Sequence, residues 1–199
     1  MGATITRREF LKQSLSGTGL ILAVSINPFA IRSTSAEVMK KEPSNAFMPS
    51  AWLQITPDNM VTVMVNRSEM GQGIYTSFPM IVAEELEADW EQVRFESAPA
   101  RDEYKDPVWF EQVTAGSTSI RHMFEPLRKA GAAAREMLAT AAAETWKVPV
   151  NECEASQGKI RHIKSNRSLT YGELCLKAAS VSVPENPSLK KESQFRIIG

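Results

Sequence analysis

The chain contains only two cysteines, and they cannot build a metal site by themselves. Cys153 and Cys175 have no Cys-x-x-Cys spacing and no neighbouring histidine, whereas structural zinc and iron–sulfur sites need four ligands. The sequence therefore excludes a zinc or iron–sulfur site made from these cysteines alone. Both thiols are predicted to be small buried hydrophobic groups. An oxidising compartment would also permit a disulfide between them.

The sequence also lacks an excess of positive charge. It has 23 basic and 23 acidic residues, and residues 1–36 hold four of the basic residues and one of the acids. The remaining part carries 19 basic and 22 acidic residues, a net charge near −3, with no basic block. Proteins that bind nucleic acid or anionic membranes need such a block, so we expect neither as a partner.

No hydrophobic run is long enough to cross a membrane. The most apolar stretch, residues 15–30, is short and diluted by glycine and serine. It follows the string Thr6-Arg7-Arg8-Glu9-Phe10-Leu11-Lys12, which is typical of a twin-arginine signal peptide. We predict that residues 1–36 are this signal, cleaved after Ala36 or Ala30, and that the protein is exported folded to the periplasm. The alternative is an amphipathic N-terminal helix.

The domain predictions follow from composition. Residues 37–49 are polar and are predicted to be a linker, residues 50–183 form one domain, and residues 184–199 form an extended tail. Alternating and helical patterns within the domain predict an α+β fold, in which antiparallel hairpins are covered by helices. The predicted elements are strands at 52–55, 60–66 and 93–98, a helix capped by Thr76 or Ser77, a second helix ending near 146, a hairpin around 157–158, and a short helix from the Thr170 capping box to about 180.

The two long helices have different predicted surfaces. On the first helix Ile74, Phe78, Val82 and Leu86 form one apolar face, and the acidic residues 84–89 are predicted to face solvent. The middle of the second helix, residues 130–134, has almost no side chains. We expect this bare region to let another backbone approach closely. Its predicted buried stripe is Leu127, Ala134, Leu138, Ala142 and Trp146.

The first candidate binding segment is a glycine turn at residues 71–73. Gly71 and Gly73 flank Gln72, and this arrangement can direct a carboxamide and bare backbone N–H groups at a ligand. A dinucleotide-binding (Rossmann) interpretation fails for two reasons. Thr76 replaces the third glycine of the G-x-G-x-x-G motif, and the preceding strand alternates polar and apolar residues. A plain tight turn without a ligand is the alternative.

The second candidate is a hydroxyl segment at residues 116–119. Gly116, Ser117, Thr118 and Ser119 precede the second helix, where unpaired N–H groups and the helix dipole favour an anion such as phosphate. The alternative is a simple N-cap. The isolated His122 and His162 are predicted to be structural or exposed, and no nucleophile–base pair stands out.

These segments carry a family resemblance. Glu69-Met70-Gly71-Gln72-Gly73 with Ala83-Glu84-Glu85-Leu86 resembles the molybdopterin-binding part of the xanthine dehydrogenase and aldehyde oxidase family. The hydroxyl segment, the run from Pro126 to Leu138, Ala141-Ala142-Ala143-Glu144-Thr145-Trp146 and Tyr171-Gly172-Glu173-Leu174 are similar to large subunits of isoquinoline 1-oxidoreductases and exported aldehyde dehydrogenases. The resemblance covers nearly the whole chain.

The resemblance implies roles for both segments. Gln72 would donate its amide N–H to an oxo ligand of molybdenum, while Gly71 and Gly73 let the backbone approach the pterin. The hydroxyl segment would meet the phosphate end of molybdopterin, in these enzymes often its cytosine dinucleotide form. No metal ligand and no catalytic base can be assigned in this chain.

The resemblance also implies a function. The chain is expected to be the N-terminal cofactor-binding portion of an exported molybdenum hydroxylase that oxidises aldehydes or N-heterocycles, inactive without further domains that would follow residue 199. Expected partners are those large-subunit domains, a small [2Fe–2S] subunit and the twin-arginine export machinery. The alternative is a non-catalytic periplasmic binding or assembly module that retains the fold.

Overall fold

The computed structural model describes residues 47–199, which belong to one compact unit. The predicted signal peptide and residues 37–46 of the predicted linker lie outside the described residues. The first described strand, β1 (Phe47–Ser50), begins within the segment that was predicted to be linker.

A four-stranded sheet forms the base of the fold. Its strands are β1, β2 (Leu53–Ile55), β3 (Val61–Val65) and β4 (Val93–Ser97), paired in that order. The pairs β1–β2 and β2–β3 are antiparallel, which confirms the predicted hairpin. Strand β4 runs parallel to β3 because the helix α1 (Ile74–Leu86) carries the chain back to the same end of the sheet. The α+β class is confirmed. The parallel pairing of β3 with β4 was not part of the prediction.

Strand β3 is more deeply buried than its alternating sequence suggests. All five of its residues are buried, including Thr62 at 0 % exposure. Arg94 of the neighbouring strand β4 donates its Nε–H to the Thr62 hydroxyl oxygen at 2.8 Å. A polar residue on the pleat therefore does not mark a solvent face here, because a cross-strand side chain covers it and satisfies its hydroxyl.

The helix α2 (Ser119–Trp146) packs against α1 through its bare middle. A Cβ atom added at Gly131 would lie 2.5 Å from the Val82 carbonyl oxygen and 3.0 Å from the Glu85 Cβ. The predicted close backbone approach is confirmed. The apolar face of α1 and the stripe on α2 are also confirmed, with Trp146 only half-buried.

Replacing Gly131 with alanine is expected to destabilise the protein by about 1–3 kcal/mol. The added methyl group would force the two helix backbones apart, and overpacking of this kind outweighs the gain in helix propensity from glycine to alanine. Urea unfolding measures the loss. Lys129→Ala, at an exposed position of the same helix, is the control and should change stability by less than about 0.5 kcal/mol. An unchanged or higher stability of Gly131→Ala would contradict the close contact.

A second, smaller sheet covers the other end of α2. It contains β5 (Cys153–Ser156), β6 (Lys159–His162) and β7 (Ser168–Thr170) and leads into the helix α3 (Tyr171–Ala178). The predicted capping box between Thr170 and Glu173 is confirmed. The hydroxyl of Tyr171 donates to the Leu86 carbonyl oxygen at 2.6 Å and ties this sheet to the end of α1.

The acidic face of α1 is where the prediction was wrong. Glu84 and Glu85 are 1 % and 0 % exposed, because residues 188–198 of the predicted tail lie over them. Oε2 of Glu84 accepts from the backbone N–H groups of Arg196, Ile197 and Ile198 at 2.8, 2.6 and 3.2 Å. The Lys190 ammonium group donates to Oε1 of the same carboxylate. Amphipathic spacing shows which side of a helix is polar, but not whether another segment covers it.

Glu85 of α1 links residues 188–198 to α2. Its Oε1 accepts from Nε of Arg128 at 2.7 Å, and its Oε2 accepts from the Lys190 backbone N–H at 3.0 Å. Arg128 also donates to the Lys190 carbonyl oxygen at 2.6 Å. Residues 188–198, the C-terminal segment, are thus held by buried glutamates of α1 and by the partly buried Arg128 of α2.

The cysteines are not joined in a disulfide. Cys175 is buried, as predicted, and Cys153 is half-buried. Among residues 47–199, no helix is both long and apolar enough to cross a membrane.

Candidate functional site

The glycine turn joins the end of β3 to the start of α1. Gly71 and Gly73 adopt left-handed backbone conformations with φ of 96° and 79°, which glycine adopts without strain. The helix begins at Ile74 with Gly73 as its N-cap, so the predicted cap at Thr76 or Ser77 is wrong.

Glu69 supplies the acceptor for this helix terminus. Its Oε1 accepts from the N–H groups of Gly71 and Gly73 at 2.7 and 3.0 Å, and its Oε2 accepts from the N–H of Tyr75 at 3.2 Å. Hydrogen bonds from the Gly73 and Tyr75 amides hold the pKa of the Glu69 carboxyl below its ordinary value. The expectation that the glycine N–H groups are bare is therefore wrong, because a carboxylate of the same loop already binds them.

The carboxamide of Gln72 is exposed and oriented by its own loop. Its Nε2 donates to the Ser68 carbonyl oxygen at 2.8 Å, and its Oε1 accepts from the Met70 N–H at 2.6 Å. A glutamine amide has two N–H donors, and the Ser68 bond uses one of them. The second N–H therefore belongs to an exposed carboxamide whose orientation is fixed by its bonds to Ser68 and Met70.

The hydroxyl segment forms the start of α2. Gly116 and Ser117 both lie in the left-handed region, with φ of 59° and 53°, and both are exposed. Thr118 is buried, and its hydroxyl donates to the Ala115 carbonyl oxygen at 2.8 Å. Of the predicted hydroxyl donors, Thr118 therefore points into the fold, whereas Ser117 is exposed and Ser119 half-exposed.

The N-terminus of α2 differs from that of α1 in one respect. The Thr118 N-cap has no side-chain hydrogen bond to the helix, and the first turn carries no acidic residue. The first N–H groups of a helix need an acceptor and favour an anion. Where the Glu69 carboxylate binds the first amides of α1, α2 therefore presents the electropositive end of a 28-residue helix with no carboxylate of the described residues bound to its first amides.

The structure brings the two loops that carry these segments into contact. The N–H of Ser68 donates to the Thr114 hydroxyl oxygen at 2.8 Å, and the Arg67 guanidinium donates to the Val113 carbonyl oxygen. Ser68 lies three residues before the glycine turn, and Thr114 lies two residues before the hydroxyl segment. The two predicted segments therefore share one edge of the molecule.

A cavity of about 260 Å³ lies at this edge, at the carboxyl ends of the parallel strands β3 and β4. This is the end of a parallel sheet at which ligands bind in α/β folds. Asn66 and Arg67 line the cavity and are 6 % and 2 % exposed. Within residues 47–199, the Asn66 Oδ1 and the Arg67 Nε have no hydrogen-bond partner, so an acceptor and a donor remain unpaired beside the cavity.

Asp106 is a buried site residue that the sequence did not reveal. It is 0 % exposed, and its carboxylate binds the guanidinium of Arg67 and Nδ1 of His122, the latter at 2.9 and 3.1 Å from its two oxygens. Burial alone would raise the pKa of Asp106, but hydrogen bonds from the Trp109 amide and the His122 ring outweigh it and hold this pKa far below its ordinary value. His122 is therefore structural, as predicted, but not isolated.

No sequence signal pointed to this cluster. Asp106 lies in an irregular loop, and no periodicity shows which loop residue faces a helix. His162, the other histidine, is buried and binds Glu152 at 2.9 Å and Ser165 at 2.7 Å, which agrees with a structural role. In the part of the chain that the structure describes, no group of three or more acidic, histidine or cysteine residues is arranged to hold a metal ion.

Comparison with known proteins identifies the family. The family model described as "Molybdopterin cofactor-binding domain" matches residues 4–197 of this chain. The chain belongs to the molybdopterin cofactor-binding domain family. This membership confirms the resemblance inferred from the residue motifs.

Two curated relatives of this family member match most of its length. The isoquinoline 1-oxidoreductase subunit beta of Brevundimonas diminuta is 39 % identical over 185 residues, which cover 92 % of this chain and 23 % of that protein. A membrane-bound aldehyde dehydrogenase of Gluconacetobacter polyoxogenes, whose name specifies pyrroloquinoline quinone, is 31 % identical over 99 % of this chain and 25 % of its own length. The chain thus spans about a quarter of the length of these relatives.

A solved structure shares the fold of this molybdopterin-binding domain. The Cu,Mo-CO dehydrogenase superposes with a TM-score of 0.50 at 21 % identity, over 62 % of this chain and 15 % of that one. This comparison confirms the predicted molybdopterin-binding-domain-like architecture. At this level of identity the likeness concerns the fold.

The described residues fit the cofactor that the family binds. Molybdopterin combines a pterin ring, which has hydrogen-bond donors and acceptors, with an anionic phosphate. The shared edge offers unpaired polar atoms at Asn66 and Arg67, the oriented amide of Gln72, and the anion-favouring start of α2. Both kinds of group that such a ligand requires are therefore present on one side of the domain.

Proposed function

We propose that this chain supplies cofactor contacts in an exported molybdenum hydroxylase that oxidises aldehydes or N-heterocycles. The observation that carries the proposal is the contact between the two loops, through Ser68 and Thr114, at the carboxyl ends of β3 and β4. This contact brings the loops of the glycine turn and the hydroxyl segment to one edge of a domain whose family binds molybdopterin.

The two segments have separate proposed tasks. The Glu69 carboxylate already occupies the amides of the glycine turn, so a phosphate would meet repulsion there. The start of α2 carries no such anion, and we place the phosphate end of the cofactor at Gly116 and Ser117. Gln72 would then direct its second N–H to the metal end of the cofactor. When bound, the cofactor supplies the redox chemistry, and this chain supplies orientation and hydrogen bonds.

The proposal extends to partners and location. We propose that turnover requires a larger assembly. It would include domains equivalent to the remaining three quarters of the relatives, together with a small [2Fe–2S] subunit. The isoquinoline relative is named as a beta subunit, which supports a multi-subunit assembly. The twin-arginine string supports folded export to the periplasm. We further propose the cytosine dinucleotide form of the cofactor.

Ser117→Asp tests the placement of the phosphate. A carboxylate at this exposed position would repel a phosphate and compete for the start of α2, so we expect about tenfold weaker cofactor retention. The variant is expressed with its native assembly, and molybdenum and pterin are measured per chain after increasing dilution. Extracts are also assayed for pyrroloquinoline quinone, because the name of the aldehyde dehydrogenase relative specifies this cofactor.

Asn166→Asp is the matched control. Asn166 is exposed and has a φ of 57°, close to that of Ser117, but lies in the turn between β6 and β7. This variant adds the same charge in the same backbone conformation and should retain the cofactor fully. Equal retention by both variants would contradict the proposed phosphate site. Pyrroloquinoline quinone without pterin in the wild-type assembly would contradict the proposed function as a whole.

A further inference from the structure

The glycine turn and the hydroxyl segment lie on different elements, so their relative position depends on what joins them. Arg67 precedes the glycine turn by four residues, and His122 follows the hydroxyl segment by three. Both side chains bind the carboxylate of Asp106. This single buried group therefore links the segment at the end of β3 to the segment at the start of α2.

Asp106 also shapes the loop that lies between the segments. Its Oδ1 accepts from the N–H groups of Val108 and Trp109, both at 2.8 Å. Its backbone N–H donates to the Glu111 carbonyl oxygen at 2.9 Å, and its carbonyl oxygen accepts from the Phe110 N–H at 2.9 Å. The carboxylate and the main chain of one residue thus close the turn from 106 to 111.

The same turn reaches the hydroxyl segment directly. The Trp109 ring packs edge-on against the His122 ring, with 5.6 Å between the ring centroids. A Cβ atom added at Gly116 would lie 3.0 Å from this indole, so the ring lies against the Gly116 backbone. Asp106 orients the Trp109 backbone, and Trp109 then sets where Gly116 can lie.

We propose that Asp106 is a positioning residue that holds the glycine turn and the hydroxyl segment in a fixed relation for one ligand. It acts through Arg67 on the first segment and through His122 and Trp109 on the second. It does not touch the ligand itself. The inference rests on the proposed function for the identity of that ligand, but the mechanical link between the segments does not depend on the cofactor.

Backbone amide hydrogen exchange in the full-length chain tests the link. The reporters are amides that the structure shows hydrogen-bonded in the two segments, namely Ser68, Gly71 and Gly73 in the first and Thr118 and His122 in the second. In Asp106→Asn both groups should exchange about tenfold faster, while the amides of β6 keep their wild-type rates. Asp102→Asn, four residues away with a side chain 91 % exposed, is the control and should change neither group.

Two further variants separate a link from a local effect. Arg67→Lys weakens both the pair with Asp106 and the direct bond to the Val113 carbonyl oxygen, so it should speed exchange at Thr118 and His122. His122→Gln lies in α2, yet it should speed exchange at Gly71 and Gly73, whose N–H groups bond to Glu69 within the first loop. A residue with only a local structural role would change exchange in its own segment alone, and that result would overturn the inference. These variants decide the question even if Asp106→Asn fails to fold.

Cofactor retention in the native assembly completes the test. Asp106→Asn should lose pterin and molybdenum about tenfold more readily than Asp102→Asn. If the wild-type assembly holds no pterin, the proposed function fails, and the cross-segment exchange still reports whether the link exists. If the wild type holds pterin and Asp106→Asn retains it like the control, the positioning role is overturned and the proposed function stands.

Discussion

Replacing Glu84 with alanine is expected to lower the free energy of unfolding by about 3 kcal/mol. The change removes a buried carboxylate that accepts three backbone N–H groups and pairs with Lys190. Losing one member of a buried ion pair costs about 3–5 kcal/mol. The lower end applies because the Lys190 ammonium keeps a second partner, Oε1 of Glu87 at 2.6 Å.

Urea unfolding and limited proteolysis together measure this effect. Released amides at Arg196 and Ile197 would leave the C-terminal segment open to cleavage, so proteolysis near residues 188–198 should accelerate before global unfolding. Glu144→Ala is the control, since Glu144 is exposed and its pair with Lys177, at 3.6 Å, is also exposed. If Glu84→Ala were no less stable than the control, the buried role of Glu84 would be wrong.

The same contacts predict a dependence on pH. Burial alone would raise the pKa of Glu84, but the Lys190 ammonium and the backbone amides outweigh it and hold the pKa below the ordinary 4.5. A carboxyl with a depressed pKa adds stability that is complete above its unfolded-state value and is lost as pH falls through its folded-state value. The stability difference between wild type and Glu84→Gln should therefore shrink as the pH is lowered from about 4.5.

Replacing Gln72 with alanine in an active assembly is expected to cut turnover by about 10- to 1000-fold. The proposed role of Gln72 is one hydrogen bond that strengthens in the transition state, and removing a single such donor has effects of this order. The molybdenum and pterin content should stay near the wild-type level, because the proposed phosphate contacts lie on the hydroxyl segment. Steady-state kinetics with metal and pterin analysis of the same preparation separate the two effects.

Gln194→Ala provides a matched control for this change. Gln194 is also an exposed glutamine whose carboxamide oxygen accepts from a backbone N–H of its own turn, that of Lys191 at 2.8 Å. Its loss removes a comparable local bond in the C-terminal segment. Wild-type turnover in Gln72→Ala would remove the assigned role, whereas an equal fall in both variants would attribute the effect to loop stability.

Much of the fold could be predicted from local patterns. The faces of α1 and α2 followed from apolar residues spaced by one helical turn, and the Thr170 capping box followed from its four-residue motif. The close contact at Gly131 could be predicted because residues 130–134 have side chains too small to hold another backbone away. Each of these features depends on residues that are neighbours in the sequence.

The parts that could not be predicted depend on distant residues. The burial of Glu84 and Glu85 is decided by residues 188–198, more than 100 residues away in the sequence. The capping of α1 by Glu69 is a local contact, but it depends on the left-handed turn at Gly71 and Gly73, which periodicity does not reveal. The direction of β4 follows from the path of α1, not from the alternation within the strand. Local periodicity contains none of this information.

By itself, the sequence determined the fold class and the family resemblance, and it predicted two segments as molybdopterin contacts. These properties reside in residue types and short spacings. Only the tertiary structure decided that the loops of the two segments meet at one sheet edge. It also decided that the Glu69 carboxylate binds the first amides of α1 while no carboxylate of residues 47–199 binds those of α2, and that Asp106 binds both Arg67 and His122. For the loop contact and for Asp106, the physical reason is that hydrogen bonds and a buried charge are satisfied by partners some 40 residues away, and such pairings exist only once the chain has folded.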